Sequence, residues 1–248
     1  MNDESLDLKE SMAVNPSWLA SIIKDRQVPG FITVEGPIGV GKTTLAKRLA
    51  NAFNYETMLE QAEQNPFLGS FYKNRRQNAL AAQLFFLFQR AQQIQEMRQH
   101  DLFSPVRIAD FLIEKDQLFA KVNLDDNEFA LYQQVYAQLT IDAPKPDLVI
   151  YLQAPVDVLM RRIAQRGVNI ERAIDREYIE MLNQAYSEFF LYYDDAPLLI
   201  VNCTDINFNA NQDDFLALVD YMLNIRGGRH YFNPTIFSWL ASSHSTGI

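Results

Sequence analysis

A phosphate-binding loop near the start of the chain restricts the possible folds more than any other feature of the sequence. The segment GPIGVGKT matches the pattern G-x-x-x-x-G-K-[ST] at every fixed position. It lies between the apolar run FITVE, typical of a buried parallel strand, and the amphipathic segment TTLAKRLANAF, which predicts a helix. Glycines let successive backbone amides point inward as an anion site, and the helix N-terminus adds positive potential. The pattern predicts that nucleotide phosphates are bound by Gly36, Pro37, Ile38, Gly39, Val40, Gly41, Lys42, Thr43 and Thr44.

Two side chains of this loop have predicted roles of their own. Lys42 is expected to reach the outer phosphates, and the Thr43 hydroxyl is expected to bind Mg²⁺. The motif therefore predicts ATP and Mg²⁺ as cofactors, but it does not say which reaction uses them.

Apolar strand segments alternate with helical segments along most of the chain. The predicted strands lie in FITVEG, YETML, SPVRIAD, PDLVIYLQA and APLLIVNC. This alternation predicts a three-layer α/β fold of the P-loop type, a five-stranded parallel sheet with helices on both faces. We expect a single domain over residues 15–226, a mobile acidic N-terminus over residues 1–14 and a C-terminal tail over residues 227–248.

The charge balance and the residue usage exclude several classes of function. Lys and Arg number 22 and Asp and Glu number 31, which gives a formal net charge of −9 and argues against binding a nucleic acid polymer or an anionic membrane. A single cysteine, Cys203, excludes an internal disulfide framework and a multi-thiolate zinc site. An acidic, polar N-terminus and the lack of a long apolar run favour a cytoplasmic protein with no membrane span.

Missing motifs narrow the class of phosphate-loop protein. The chain contains no guanine-reading N-K-x-D, and the third predicted strand ends in Asp110 followed by Phe111 rather than in an acidic pair. A small-molecule kinase fits better, and it needs a basic lid, a base and an acceptor pocket.

The lid is predicted at about residues 161–173, where Arg162 and Arg166 share a helix face before Gly167 and could neutralise the transferring phosphoryl group. A solvated charged helix face explains the same pattern equally well.

The acceptor side is predicted between Glu60 and Arg90. Glu60 follows the second strand, at the sheet edge where α/β proteins bind ligands, and could accept a hydroxyl proton, although Glu63 is close enough to be confused with it. Gln83 and Arg90 lie seven residues apart on one face of a long helix, which suits a nucleobase or sugar pocket but also an ordinary core helix. Aromatic side chains that could stack on a base include Phe67, Phe71 and Tyr72.

Taken in order, these segments resemble the deoxynucleoside kinase family, in its deoxyadenosine/deoxyguanosine kinase branch. The matching segments are ITVEGPIGVGKTTLAKRLA, LEQAEQNPFLGSFY, QLFFLFQR, ADFLIEKDQLFA, PDLVIYLQAPVDVLMRRIAQRG, ERAIDREYIEMLNQAY and APLLIVN, within residues 30–202. The resemblance implies transfer of the γ-phosphoryl group of ATP to the 5′-hydroxyl of a deoxynucleoside, with a purine favoured, in a homodimer.

The resemblance also implies roles for individual residues. It makes Glu60 the general base, places Gln83 on the base with Arg90 nearby, and places Asp110 on Mg²⁺. It places Asp116 near the sugar, makes Arg162 and Arg166 the lid arginines, and gives the sugar a contact from Glu171.

Departures from the family pattern leave alternatives open. Phe111 stands where many members have arginine, and Lys115 or a lid arginine could supply that charge. Val168 replaces a third lid arginine. A thymidylate-type nucleoside monophosphate kinase, with Arg90 on the second phosphate, is one alternative, and an ATP-binding regulatory protein is another.

Overall fold

In the part of the chain that the structure describes, the sheet contains six strands, one more than the five predicted. A computed structural model describes residues 21–24, 26–100, 106–139, 143–206, 208 and 211–234. The strands are β1 (Ile32–Glu35), β2 (Glu56–Met58), β3 (Val106–Ala109), β4 (Leu148–Gln153), β5 (Leu198–Asn202) and β6 (Arg229–Phe232). They are arranged in the order β2-β3-β1-β4-β5-β6, and every neighbouring pair is parallel.

The additional strand explains the wrong count. β6 pairs with β5 in the register Leu198 to Arg229, and it lies within the predicted C-terminal tail. Its sequence RHYF is short and partly exposed, as edge strands commonly are, so it lacks the apolar run that marks the central strands. The predicted mobile N-terminus over residues 1–14 and residues 235–248 of the tail lie outside the described residues.

Helices connect the strands and cover both faces of the sheet. They are α1 (Lys42–Phe53), α2 (Leu68–Lys73), α3 (Arg75–His100), α4 (Lys115–Asn123), α5 (Asp126–Gln138), α6 (Val156–Arg166), α7 (Arg176–Tyr192) and α8 (Gln212–Met222). Short 3₁₀ helices span Ala62–Gln64 and Asn169–Ala173. Within the described part of the chain, no helix has both the length and the apolar character that crossing a bilayer requires.

The core has two sides because β4 is buried on both faces. Leu148, Ile150 and Leu152 pack into the large cluster that includes α1, α6 and α8. Val149 and Tyr151 face the other way and pack against α7. A strand that is apolar on both faces is typical of a parallel sheet between two helical layers, as the sequence predicts.

Candidate active site

After β1, the phosphate loop has a backbone conformation that requires glycine at two positions. Gly36 has φ +147°, and a Cβ there would lie 2.5 Å from the carbonyl oxygen of Leu152. Gly39 has φ +83°, and a Cβ there would lie 2.8 Å from the Ile163 side chain of α6. These close approaches fix the loop between β4 and α6, in front of the N-terminus of α1.

Lys42 is the first residue of α1, and its side chain lies over the loop. Its ammonium donates hydrogen bonds to the carbonyl oxygens of Gly36 at 2.7 Å and Pro37 at 3.2 Å. Burial, reinforced by the positive charge of Lys115, lowers the pKa of Lys42 to about 8 against the pull of nearby carboxylates. The lysine therefore places its charge where the loop would hold nucleotide phosphates.

Thr43 and Asp110 meet at the carboxyl edge of the sheet. The Thr43 hydroxyl donates to Asp110 Oδ2 at 2.5 Å, and the backbone N–H of Glu60 donates to Asp110 Oδ1 at 2.7 Å. A hydroxyl and a carboxylate are hard oxygen ligands, which suit Mg²⁺ that takes its remaining ligands from phosphate and water. The described residues contain no group of three or more His, Cys, Asp or Glu side chains that could hold a metal. The pair fits a magnesium ion that is bound together with phosphates.

Glu60 follows β2 and is held by cations from two different helices. Arg90 of α3 donates to Glu60 Oε1, and the Lys115 ammonium of α4 lies 3.3 Å from the same oxygen. No hydrogen bond within the described residues uses Oε2. Burial alone would raise the pKa of Glu60, but the charges of Lys115 and Arg90 outweigh burial and hold it well below its ordinary value. Glu60 is an ionised carboxylate with one oxygen left for a ligand.

Helix α3 also fixes the loop that carries Glu60. Gln93 donates to the Leu59 carbonyl at 3.0 Å, and Gln89 donates to Gln64 Oε1 at 3.3 Å. Glu63, the other acid considered for the base, is exposed in the same loop. These contacts give the Glu60 carboxylate a defined position although it lies in a loop.

Asp116 lies behind Arg90 rather than on a cavity wall. Its carboxylate accepts a hydrogen bond from Arg90, and its side chain is 0% exposed. Burial raises the pKa of Asp116 to about 6 even though the Arg90 charge opposes the shift. Asp116 is therefore the buried counter-charge of Arg90, and its expected place near the sugar stays a prediction.

Phe111, which stands where many members of the family have arginine, is a buried apolar residue. It packs at 3% exposure against Met58, Ile94 and Met97. The positive charge in this segment comes from Lys115, one turn further along the chain.

A cavity of about 430 Å³ opens beside Glu60. Gln83 of α3 lines it at 2% exposure, and no hydrogen bond within the described residues uses the Gln83 amide. Aromatic side chains form much of the remaining wall: Phe71, Tyr72, Phe86, Phe119 and Tyr178. A free amide among aromatic rings is an arrangement that binds a planar heterocycle.

Phe67 does not line this cavity, in contrast to the prediction. It precedes α2 and is 39% exposed, whereas Phe71, one helical turn later, is 1% exposed and lies on the wall. The phase of this six-residue helix decides which ring points inward, and the sequence of such a short helix does not define that phase.

A second cavity, of about 630 Å³, is formed by the phosphate loop, α6 and the segment after β5. The segment after β5 contributes Thr204, Asp205, Ile206 and Phe208. Sequence reasoning missed these residues, although a signal was present. They follow a strand at the carboxyl edge of the sheet, where open α/β sheets bind ligands.

The two predicted lid arginines make different contacts. Arg162 donates to three backbone carbonyls, at 2.8 Å to Cys203, 2.8 Å to Ile206 and 3.3 Å to Val40. It therefore ties α6 to the phosphate loop and to the segment after β5. Arg166 lines both cavities, as Gly39, Lys42 and Thr43 also do.

Arg166 is also paired within the lid. Its guanidinium donates to both carboxylate oxygens of Glu171, at 2.6 Å and 3.0 Å. Gly167, with φ +68°, ends α6 between the two residues and lets the chain turn back. Glu171 thus contacts Arg166 and does not itself line either cavity.

Comparisons with known proteins agree with this geometry. Residues 32–224 match the family model for deoxynucleoside kinases. The chain is 36% identical over 191 residues to the deoxyguanosine kinase of Bacillus subtilis, a match that covers 75% of this chain and 92% of that protein. The chain belongs to the deoxynucleoside kinase family. This kinase is also 27% identical over 215 residues to the deoxyadenosine/deoxycytidine kinase of Bacillus subtilis, with coverage of 82% and 97%.

Solved structures give the same result for the fold of this kinase. The deoxyadenosine kinase from M. mycoides with bound dATP superimposes with a TM-score of 0.67 at 27% identity, over 78% of this chain and 99% of that chain. The predicted family, the α/β fold and the class of enzyme, an ATP-dependent phosphotransferase, are confirmed.

The structure brings most of the predicted site residues to one cleft. Glu60, Gln83 and Arg90 line the acceptor cavity, and Lys42 and Arg166 line both cavities. Phe67, Asp116 and Glu171 lie off the cavity walls. The individual roles of these residues stay predictions.

Proposed function

We propose that this kinase transfers the γ-phosphoryl group of ATP to the 5′-hydroxyl of a purine deoxynucleoside. The observation that carries the proposal is the junction of the two cavities, because Lys42 and Arg166 line both and Glu60 lies beside them. A phosphoryl group held by the loop would face a hydroxyl group placed next to Glu60. The names of the relatives, a deoxyguanosine kinase and a deoxyadenosine/deoxycytidine kinase, support a deoxynucleoside acceptor, and the 36% identity to the deoxyguanosine kinase favours a purine.

Glu60 acts as the general base. Its Oε2 accepts the proton of the 5′-hydroxyl while the 5′-oxygen attacks the γ-phosphorus. The bond between the γ-phosphorus and the bridging oxygen breaks at the same time, and ADP leaves. Because Arg90 and Lys115 occupy Oε1, the carboxylate is ionised and fixed before the acceptor binds.

Lys42 and Arg166 stabilise the charge that develops on the transferring group. Both are cations at the junction of the cavities, where a fixed positive charge stabilises the transition state more than it would in water. Thr43 and Asp110 would hold Mg²⁺, which neutralises charge on the phosphate oxygens when it is bound. Arg162 supports the donor site through its three carbonyl contacts.

The acceptor is recognised by an amide, aromatic rings and the lid. Gln83 hydrogen-bonds the edge of the base, and Phe71, one of the three aromatic residues expected to stack on the base, lines the cavity beside it. Tyr72 lines the same cavity, and its hydroxyl is a hydrogen-bond donor for the deoxyribose. Asp116 contributes by holding Arg90.

One observation argues against a nucleoside monophosphate as the acceptor. Arg90 is already bonded to Glu60 and Asp116, so its charge is compensated before a substrate arrives. An additional phosphate would have to compete with two carboxylates for that guanidinium.

The test is product formation from Mg-ATP with each of the four deoxynucleosides, and with thymidylate and deoxycytidylate in parallel. We expect deoxyguanosine or deoxyadenosine to give its monophosphate, and Glu60→Gln to lower kcat by about 10²–10⁴-fold. Glu56→Gln, an exposed acid in β2, is the matched control and should retain activity. Diphosphate from a monophosphate substrate, or ATP hydrolysis without acceptor dependence, would contradict the proposal. Loss of activity in Glu63→Gln with normal turnover in Glu60→Gln would move the base to Glu63.

A homodimer is part of the same proposal. Phe88 of α3 and Leu131 of α5, on neighbouring helices, are 51% and 47% exposed and provide apolar surface that a second copy of the chain would cover. Light scattering should give twice the mass of the chain. The cytoplasmic location stays a prediction from the sequence.

A further inference from the structure

Lys115 is a buried cation between two carboxylates, one at the end of β1 and one in the loop after β2. Its ammonium lies 3.3 Å from Glu60 Oε1, after β2, and 3.5 Å from Glu35 Oε1, at the end of β1. The Lys115 side chain is 3% exposed. A buried ammonium is retained only where carboxylates compensate its charge, so its position depends on both acids.

Glu35 is the fixed partner in this arrangement. Its Oε1 accepts from the backbone N–H of Leu112 at 2.7 Å, and its Oε2 accepts from Gly36 N–H at 3.0 Å and from the Tyr186 hydroxyl at 3.1 Å. Because three donors hold Glu35 at the end of the central strand, Lys115 is itself held at a defined place.

Glu60, in contrast, lies in a loop, and its terminal torsion has a broad, two-fold energy profile. Arg90 holds its Oε1 from α3, and Lys115 holds the same oxygen from α4. Contacts from two cations on different helices restrict rotation of the carboxylate, and both engage Oε1, which leaves Oε2 for the substrate hydroxyl.

We propose that Lys115 is a positioning residue that links Glu60 to Glu35 and keeps Oε2 of the base in the line of attack. The inference rests on the proposed function, since it requires Glu60 to be the base. Misplacement of a reacting group by about 1 Å costs on the order of 10²-fold in rate. The Lys115 ammonium pairs with Glu60 and Glu35 and lines the acceptor cavity, so its loss should affect kcat through Glu60 more than it affects donor binding.

The experiment compares Lys115→Met, Lys115→Arg and Lys121→Met in the full-length protein. Lys121 is an exposed lysine on the same helix and is the matched control. We expect Lys115→Met to lower kcat by about 10- to 100-fold while the dissociation constant of Mg-ATP stays within about two-fold. Lys115→Arg should recover part of kcat, and Lys121→Met should match the wild type.

A double-mutant cycle separates positioning from general damage. If Lys115 acts through Glu60, Lys115→Met should change kcat by less than about three-fold in a Glu60→Gln background. Losses that multiply in the double variant, or an unchanged kcat in Lys115→Met, would overturn the proposal. If Lys115→Met fails to fold, Lys115→Met with Glu35→Gln removes both charges and allows the same comparison. A wild-type protein that phosphorylates no deoxynucleoside refutes the proposed function itself, whereas an active wild type with an active Lys115→Met refutes only the role of Lys115.

Discussion

Single residues in the cleft are held by charge as much as by packing. Arg90 is 4% exposed and Asp116 is 0% exposed, so neither charge has access to water. A buried ion pair adds little net stability compared with apolar packing, but removing one partner strands the other charge. The residues that orient the proposed base should therefore also be sensitive positions for folding.

Asp116→Ala tests this directly. Because it leaves the Arg90 guanidinium with one carboxylate instead of two, we expect the free energy of unfolding to fall by about 3–5 kcal/mol. Urea denaturation followed by circular dichroism measures the change. Asp157→Ala breaks the exposed pair between Asp157 and Arg176 and should leave the stability almost unchanged. Equal effects of the two substitutions would show that Asp116 is not needed as a buried counter-charge.

Substitutions of the two lid arginines should change different kinetic parameters. Arg166 lines both cavities, so Arg166→Met should lower kcat, by about 10³-fold if it acts as an arginine finger. Arg162 braces the donor site through backbone carbonyls, so Arg162→Met should mainly raise KM for ATP. Steady-state kinetics with varied ATP measures both values, and Arg76→Met, an exposed arginine outside both cavities, is the control. If Arg162→Met lowered kcat as much as Arg166→Met does, the assignment of different roles to the two arginines would be contradicted.

Among the elements, α3 does the most to organise the acceptor side. Gln83 on this helix faces the cavity, and Gln89, Arg90 and Gln93, one to three turns later, hold the loop that carries Glu60. One rigid helix thus sets the distance between the base-reading amide and the proposed general base.

Gln83→Leu should therefore affect the acceptor and not the donor. Loss of the amide leaves the polar edge of the base unpaired, and we expect kcat/KM for the preferred deoxynucleoside to fall by about 10- to 100-fold with an unchanged KM for ATP. Gln92→Leu, on the exposed side of the same helix, is the matched control. If Gln83→Leu has the same kcat/KM as the wild type for all four deoxynucleosides, the base is bound elsewhere.

The central elements could be predicted from sequence, whereas the outer ones could not. β1 and β4 are continuous apolar runs, and the loop between β1 and α1 carries a motif with every fixed position matched. β6 has no such run, because an edge strand is buried on fewer sides.

The charge network could not be predicted for a different reason. Glu35 and Glu60 face the same lysine only because the sheet order places β1 and β2 on either side of β3. Sequence spacing gives the strands but not this order, so the contact between these residues is a property of the tertiary structure.

At the scale of the whole molecule, the donor site connects the phosphate loop, which follows the central strand β1, with the segment that follows β5 in the outer part of the sheet. Arg162 contacts Val40 in the phosphate loop and Cys203 after β5. Nucleotide binding should therefore stabilise both parts together, since any ligand that binds only the folded state raises its stability.

Cys203 reports on this coupling because it is the single cysteine of the chain. Its side chain is 1% exposed, and burial raises the pKa of its thiol to about 12, so the reactive thiolate is scarce in the folded state at pH 8. Labelling by a disulfide reagent should require opening of the structure, and ATP at about 100 times its dissociation constant should slow that labelling by about 100-fold. Cys203→Ser, which should give no labelling, controls for the reagent. The burial of Cys203 would be contradicted if the folded protein were labelled as fast as the urea-unfolded chain. If ATP did not slow the labelling, this part of the sheet would open independently of the donor site.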